Sequence, residues 1–300
     1  MRYKFHNYKF DKIADNYYDV IRRAMFNLGH FEVVEHDTEA DIHFYNHTTN
    51  TEKSPGIFIV KPTAPTSQHF GIDIQGYANS GYYTFNRPPF DNLAVNDWSQ
   101  VEELIKNKAN KWDDSVLLKW RDAKNVHDDH ILIIGQIPDD ETVNGFGFGD
   151  HIKKLDMIVD KLYDEYAPYA NLVIKLHPRY KNKALVKKWK EAGHHVITGF
   201  DSIHSILPKT KVAIIDNSTA GIECMMHDVP IISYGYPEYH WITKDLRILT
   251  ELKGYIEDMS WFDKELSRQY LMWYINWYLC HDVKTTQRRL EELLDADVRI

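Results

Sequence analysis

Along the first part of the chain, apolar residues recur at helical spacing and then at strand spacing. Ile13, Tyr17, Val20, Ile21, Ala24 and Met25 fall on one stripe of a helix over residues 12–28, with Gly29 as its stop. Strand-like runs follow at 31–34, 41–45 and 56–60. Residues 61–92, rich in Pro, Gly, Ser and Thr, read as a long loop of the kind that carries function. Short helices are expected over 98–110 and 113–120. At residue 131 the pattern changes to continuous apolar runs of the kind that mark strands buried on both faces. Strands are expected at 131–134, 172–176, 195–197, 211–215 and 229–233. Helices are expected at 151–166, 182–192 and 202–207, with another starting near Thr219. This alternation predicts an α/β protein whose parallel sheet holds ligands beyond the carboxyl ends of its strands. The reading is of two α/β halves, 1–125 and 126–260. An aromatic segment, Trp261 to Cys280, forms a closing helix, so that 261–300 packs back on the first half.

Composition narrows the class. At 43% hydrophobic and 27% charged, the chain buries too much to be disordered. Two cysteines, Cys224 and Cys280, can form neither a disulfide framework nor a four-cysteine zinc site, and they point to a reducing compartment. The first residues lack the apolar stretch of a secretory signal, and no run reaches 18 apolar residues. A soluble, cytoplasmic protein is the expectation. The net charge of −8 argues against a globally basic nucleic-acid binder. Local basic clusters exist at Lys106, Lys108 and Lys111, and at Lys181, Lys183, Lys187, Lys188 and Lys190. They are either phosphate-binding stripes or ordinary solvated helix faces.

Three polar motifs stand at ends of expected strands. Gly135-Gln136-Ile-Pro-Asp139-Asp140 follows the first strand of the second half, and Lys175-Leu-His177-Pro178-Arg179 follows the next. Asp216-Asn217-Ser218-Thr219-Ala-Gly221-Ile-Glu223 follows the strand at 211–215. Asn217, Ser218 and Thr219 stand between a buried strand and a helix, where hydroxyls and unpaired N–H groups make an anion site, or where Ser or Thr simply caps the helix. Glu223, one turn on, suits ribose hydroxyls. An imidazole at His177 can meet a phosphate or a leaving group, and Arg179 adds a fork of donors. Gln136 and Asp140 offer an amide and a carboxylate to the same crevice. The run Gly145-Phe-Gly-Phe-Gly149 is a cover for a ligand or a flexible turn, not a dinucleotide fingerprint. There is no P-loop, and no zinc-binding spacing of His or Cys.

In this order, Gly-Gln-x-x-Asp-Asp, Lys-x-His-Pro and Asn-Ser-Thr-x-Gly-x-Glu followed by Val-Pro-Ile-Ile-Ser-Tyr-Gly resemble the capsule polysaccharide glycosyltransferases. These are the Kdo-transferase-like enzymes of GT-B fold, distantly similar to bacterial sialyltransferases. The resemblance covers about 130–240. It implies two Rossmann-like domains with a cleft between them, the second binding a UDP- or CMP-linked sugar and needing no metal or cofactor. It places His177, Ser218 and Thr219 on the donor phosphate and Glu223 near the ribose. The implied reaction is inverting transfer to a hydroxyl. The base is then sought in the first half, where Asp73 in Phe70-Gly-Ile-Asp-Ile-Gln-Gly76 is the first choice and His47 and His69 are reserves. The abundance of Tyr, Asn, Asp and Lys resembles phage usage, so the favoured acceptor is a 5-hydroxymethylcytosine-type base in phage DNA, modified in the host cytoplasm. The alternatives are a Kdo-type transferase of capsule or lipopolysaccharide synthesis, a nucleotide-sugar 2-epimerase, and a non-catalytic sugar-nucleotide or DNA-binding protein.

Overall fold

The computed structural model describes residues 2–6, 12–29, 32–33, 40–46, 56–77, 80–111, 120–137, 151–166, 172–178, 180 and 182–297. The candidates His47, Asp139, Asp140 and Arg179, the glycine run at 145–149 and most of the expected helix at 113–120 lie outside the described residues.

The chain divides into two compact units. The first comprises residues 1–89, 109–114 and 272–300, and the second 90–108 and 115–271. The first unit begins with β1 (Arg2–His6), α1 (Lys12–Asn27), β2 (Glu32–Val33), β3 (Ile42–Asn46), β4 (Ile57–Pro62), β5 (Phe70–Asp73) and a short α2 (Tyr82–Phe85). The second holds α3 (Ser99–Lys106), β6 (Arg121–Asp122), β7 (His130–Ile134), α4 (His151–Tyr166), β8 (Leu172–Lys175), α5 (Lys183–Glu191), β9 (His195–Ile197) and β10 (Asp201–Ser202). It continues with β11 (Thr210–Ile215), α6 (Ala220–Met226), β12 (Ile231–Ser233), β13 (Lys244–Asp245) and α7 (Leu252–Glu257). Then come α8 (Lys264–Trp273), a π-helical turn over Tyr274–Tyr278, β14 (Leu279–Cys280) and α9 (Val283–Asp297).

The sheet of the first unit runs β14-β5-β4-β3-β1-β2. Its β2, β1, β3 and β4 are parallel, while β5 is antiparallel to β4 and β14 to β5. Strand alternation sorts the side chains. Tyr3, Ile42, Phe44, Phe58, Val60, Phe70 and Ile72 join Tyr17, Ile21, Ala24 and Met25 of α1 and Leu290 and Leu293 of α9 in one core. The helical stripe expected for 12–28 therefore meets the sheet with its described side chains.

The sheet of the second unit runs β13-β12-β11-β7-β8-β9 and is parallel throughout. Every residue of β7 is buried, as the continuous apolar run requires. Leu155, Ile158, Val159 and Leu162 of α4, Leu185 and Trp189 of α5, and Leu252 and Ile256 of α7 pack on Ile131, Ile133, Ile174 and Ile214. Trp189 is fully buried, and its Nε1 donates to Asp156 of α4 at 2.9 Å.

Three expectations change. The 61–92 loop contains β5, which its Gly and Pro neighbours obscure. The helix at 202–207 is instead two 3₁₀ turns, Ile203–Ser205 and Leu207–Lys209, where Pro208 removes a donor. The closing helix at 261–280 ends at Trp273, passes through the π-helical turn and becomes a strand paired with β5. Among the described residues, no helix is long and apolar enough to cross a membrane.

Candidate functional site

In the second unit the chain builds β7, β8 and β9 outward in one direction, then returns to build β11, β12 and β13 in the other. The carboxyl ends of β7 and β11 thus flank the point where the order reverses, and a ligand crevice opens at such a point. The loop after β7 carries Gln136, and the loop after β11 carries Asp216, Asn217 and Ser218.

Hydrogen bonds join the two loops. Gln136 Nε2 donates to Asn217 Oδ1 at 3.4 Å, and Gln136 Oε1 accepts from the N–H of Ile137 at 3.0 Å. Beneath them His151, the first residue of α4, donates from Nδ1 to Asp216 Oδ2 at 2.6 Å. In that tautomer its Nε2 accepts the Gln136 N–H at 3.3 Å. Both His151 and Asp216 are buried. A histidine and carboxylate pair therefore fixes the backbone on which Gln136 sits, and holds the two strand ends in register. Glycines make the space. A Cβ on Gly235 would overlap Asp216 Oδ1, and one on Gly135 would meet Leu176 Cδ2 at 2.7 Å.

Ser218 and Thr219 are half-buried at the start of α6, while Asn217 and Glu223 are buried. Ser218 Oγ accepts from the N–H of Ala220 at 3.3 Å, whereas Thr219 caps no helical N–H with its side chain. The Tyr239 hydroxyl donates to the Ser218 carbonyl, and its ring fills the space that a Cβ on Gly221 would occupy. Gly221 thus admits Tyr239, which sets the path of the Ser-Thr turn.

His177 is half-buried just beyond β8, and its carbonyl accepts from the N–H of Tyr180 at 2.9 Å. Lys175, two residues earlier, is buried and bonds the carbonyls of Leu176 and Gly199 at 3.1 and 3.2 Å. Burial pushes its ammonium down to about 8, with the charge of Asp201 opposing. The lysine of the Lys-x-His-Pro motif therefore anchors the strand end that bears the histidine.

Asp73 lies in the first unit, at the end of β5. Its enclosed carboxylate accepts from the N–H groups of Gln75, Gly76 and Tyr82 at 2.8–3.3 Å and organises the turn between them. Burial raises its pKa, while those bonds and the Arg289 charge oppose. His69 is also buried, with Nδ1 2.7 Å from Thr66 Oγ1, and burial, with His281 adding, pushes its imidazole down to about 4.

The structure thus brings Gln136 and Asn217 together beside Ser218, with His177 on the neighbouring strand end and Asp73 in the other unit. Sequence reasoning missed His151 and named Asp216 only as part of a motif. The signal was there, since a histidine opening an amphipathic helix and an aspartate closing an all-apolar strand both need buried partners. No curated protein matches the chain in sequence. In fold it is similar to two solved structures of Thermosulfurimonas dismutans KpsC. The beta Kdo 2,4 transferase superimposes with a TM-score of 0.57 at 15% identity, covering 98% of this chain and 97% of that one. The beta Kdo 2,7 transferase gives 0.52 at 14% identity, covering 97% and 98%. The expected pair of Rossmann-like units is thereby met as a GT-B fold. Residues 68–266, more than half of the chain, match the family described as capsule polysaccharide biosynthesis protein, and the chain belongs to that family.

Proposed function

We propose that this protein is a glycosyltransferase of the Kdo type that moves a sugar from a nucleotide-linked donor to a hydroxyl of a glycan. The observation that carries the reading is the bonded pair Gln136 and Asn217 at the strand-order reversal, beside the Ser218 and Thr219 hydroxyls, in a chain of the capsule family. Neutral amides and hydroxyls there suit a nucleotide phosphate, because they offer donors and bring no competing charge. In the transfer, the acceptor oxygen bonds the anomeric carbon while the bond from that carbon to the donor phosphate breaks, its electron pair leaving on the phosphate and the hydroxyl proton passing to solvent. Ser218, Thr219 and His177 would meet that charge, and Glu223 would hold ribose hydroxyls. The second unit is then the donor unit and the first the acceptor unit.

A glycan acceptor is preferred to DNA. Of the lysines that a DNA stripe would use, Lys188 pairs with Asp156 and Asp160, Lys187 with Glu191 and Lys108 with Asp122. Their charge is already met within the chain, as on solvated faces.

The test incubates the purified protein, in EDTA, with CMP-Kdo or UDP-sugars and three acceptors: a Kdo-terminated oligosaccharide, hydroxymethylcytosine DNA, or none. Glycan-dependent release of nucleotide, with added sugar mass on the oligosaccharide, is expected. Mass added to the DNA would restore the DNA reading. Loss of transfer in EDTA would end metal independence, and a changed sugar without acceptor would indicate an epimerase.

A further inference from the structure

The second unit carries a groove that the donor reading does not use. It measures about 520 Å³ and runs along α5, with Tyr180, Lys183, Val186, Lys187, Lys190 and Thr198 among its walls. Thr198 stands just beyond the carboxyl end of β9. Tyr180 closes the turn after β8, its N–H bonded to the His177 carbonyl at 2.9 Å. At 3.6 residues per turn, positions 183, 187 and 190 fall on one face of α5, so three ammonium groups line one wall. Lys188 is turned about 100° from Lys187 along the helix. It meets Asp156 and Asp160 of α4 instead, at 2.8 and 3.2 Å.

The charge of this wall is poorly met within the chain. Among the described residues, the ammonium groups of Lys183 and Lys190 make no ion pair. Lys187 meets Glu191 at 3.6 Å, but their side chains are 74% and 67% exposed, and so solvated a pair holds little energy against a competing anion. Tyr180 and Val186 are half-buried against the core of the unit. With the lysine stems they give the groove an apolar floor. Cations above an apolar floor suit sugar rings that bear carboxylates, the ring faces lying on Tyr180 and Val186 and the carboxylates meeting the lysines. The helix rises about 6 Å from Lys183 to Lys187 and about 4.5 Å from Lys187 to Lys190, steps on the scale of one sugar ring. Glu191 in the same wall disfavours the dense phosphates of a nucleic acid. None of the exposed large apolar side chains that a membrane surface would take lines the groove.

We propose that this groove is a binding site for an acidic glycan, and that Lys183, Lys187 and Lys190 recognise its carboxylates. The choice of a glycan rests on the glycosyltransferase reading, and the choice of an acidic one rests on the groove. Lys183 and Lys190 donate to carboxylates of the ligand, and Lys187 exchanges Glu191 for a third. The site binds and does no chemistry, and all its residues belong to the second unit. Asn182 takes no part through its side chain, because its Oδ1 caps α5 by accepting from the N–H of Leu185 at 3.0 Å.

The test titrates the full chain by calorimetry, without donor, against three probes. These are a Kdo oligosaccharide, the same oligosaccharide with its carboxylates reduced to alcohols, and a single-stranded oligonucleotide. The variants are Lys183→Gln combined with Lys190→Gln, Thr198→Glu, which sets a repelling charge on an exposed wall, and Lys188→Gln as a control outside the groove. The Kdo oligosaccharide should bind wild type with an affinity that falls as salt rises, and the reduced form about tenfold more weakly. The double variant and Thr198→Glu should each weaken binding by about fivefold or more, with Lys188→Gln within about twofold and all melting temperatures within about 2 °C. Affinity for CMP should be unchanged in the double variant, which separates the groove from the donor site. Equal binding of the charged and reduced forms, tighter binding of the oligonucleotide, or a double variant as tight as wild type overturns the proposal. Groove-dependent binding by a protein that transfers no sugar would fail the transferase reading and leave the groove, and transfer without groove-dependent binding would do the reverse.

Discussion

Ser218 and Thr219 stand half-buried just beyond β11, where the proposed donor phosphate would meet their hydroxyls. One hydroxyl bond contributes about 0.5–1.5 kcal/mol, and about 1.5–3 kcal/mol when its partner is charged. Ser218→Ala combined with Thr219→Val should therefore weaken nucleotide binding at least several-fold in a calorimetric titration of the folded protein. Unchanged affinity would remove the two hydroxyls from the site. Much at this scale is legible in the sequence, because Gln136, His177 and the Asp216-Asn217-Ser218 turn each follow a largely apolar run, and polar residues there stand at a strand end. The partners were not legible. Nothing local couples His151 to Asp216, which lie 65 residues apart, and their meeting is a product of sheet order.

The C-terminal helix shows what elements contribute. Leu290 of α9 is fully buried in the core it shares with α1 and the sheet. Arg289 beside it is buried too, donating to the Ile72 carbonyl at 3.2 Å and lying against the rings of Tyr83 and Tyr278. Leu290→Ala should cost about 2–5 kcal/mol in urea denaturation, with the lower end marking a site that collapses around the cavity. A loss below about 0.5 kcal/mol would mean that α9 is peripheral. The helices α1, α4 and α5 were readable because their apolar stripes are long and periodic. The strand β5 was not, because four residues between Pro-rich and Gly-rich flanks carry too little pattern. The aromatic run after Trp261 misled for a related reason, since bulky side chains suit helix interiors and strands alike.

For the whole molecule, pH is the simplest probe. His69 and His227 are both held down to about 4, chiefly by burial, with His281 and His204 respectively adding to the effect. An imidazole whose folded pKa lies below its free value of 6.5 binds fewer protons folded than unfolded, so stability rises with pH between the two values. Acidification from pH 6.5 to about 5 should therefore cost about 2 kcal/mol per imidazole. The urea midpoint should fall across that interval, and His69→Gln should flatten the fall. A flat profile from pH 7 to 5 would contradict the buried, neutral state of both rings. Asp228, paired with Arg268 and Lys264, acts in the same direction only below the ordinary carboxylate range.

The return of β14 and α9 to the first unit has a consequence for synthesis. Residues 1–89 leave the ribosome while the strand that flanks β5 and the helix that covers α1 are still untranslated. Residues 115–271 emerge next and already hold every strand of their own sheet. The second unit can close while the first waits with an apolar helix face bare and a strand edge open to wrong partners. Assembly in the cell then runs against the order of the chain, and nascent chains halted near residue 271 should resist protease in the second unit and not in the first.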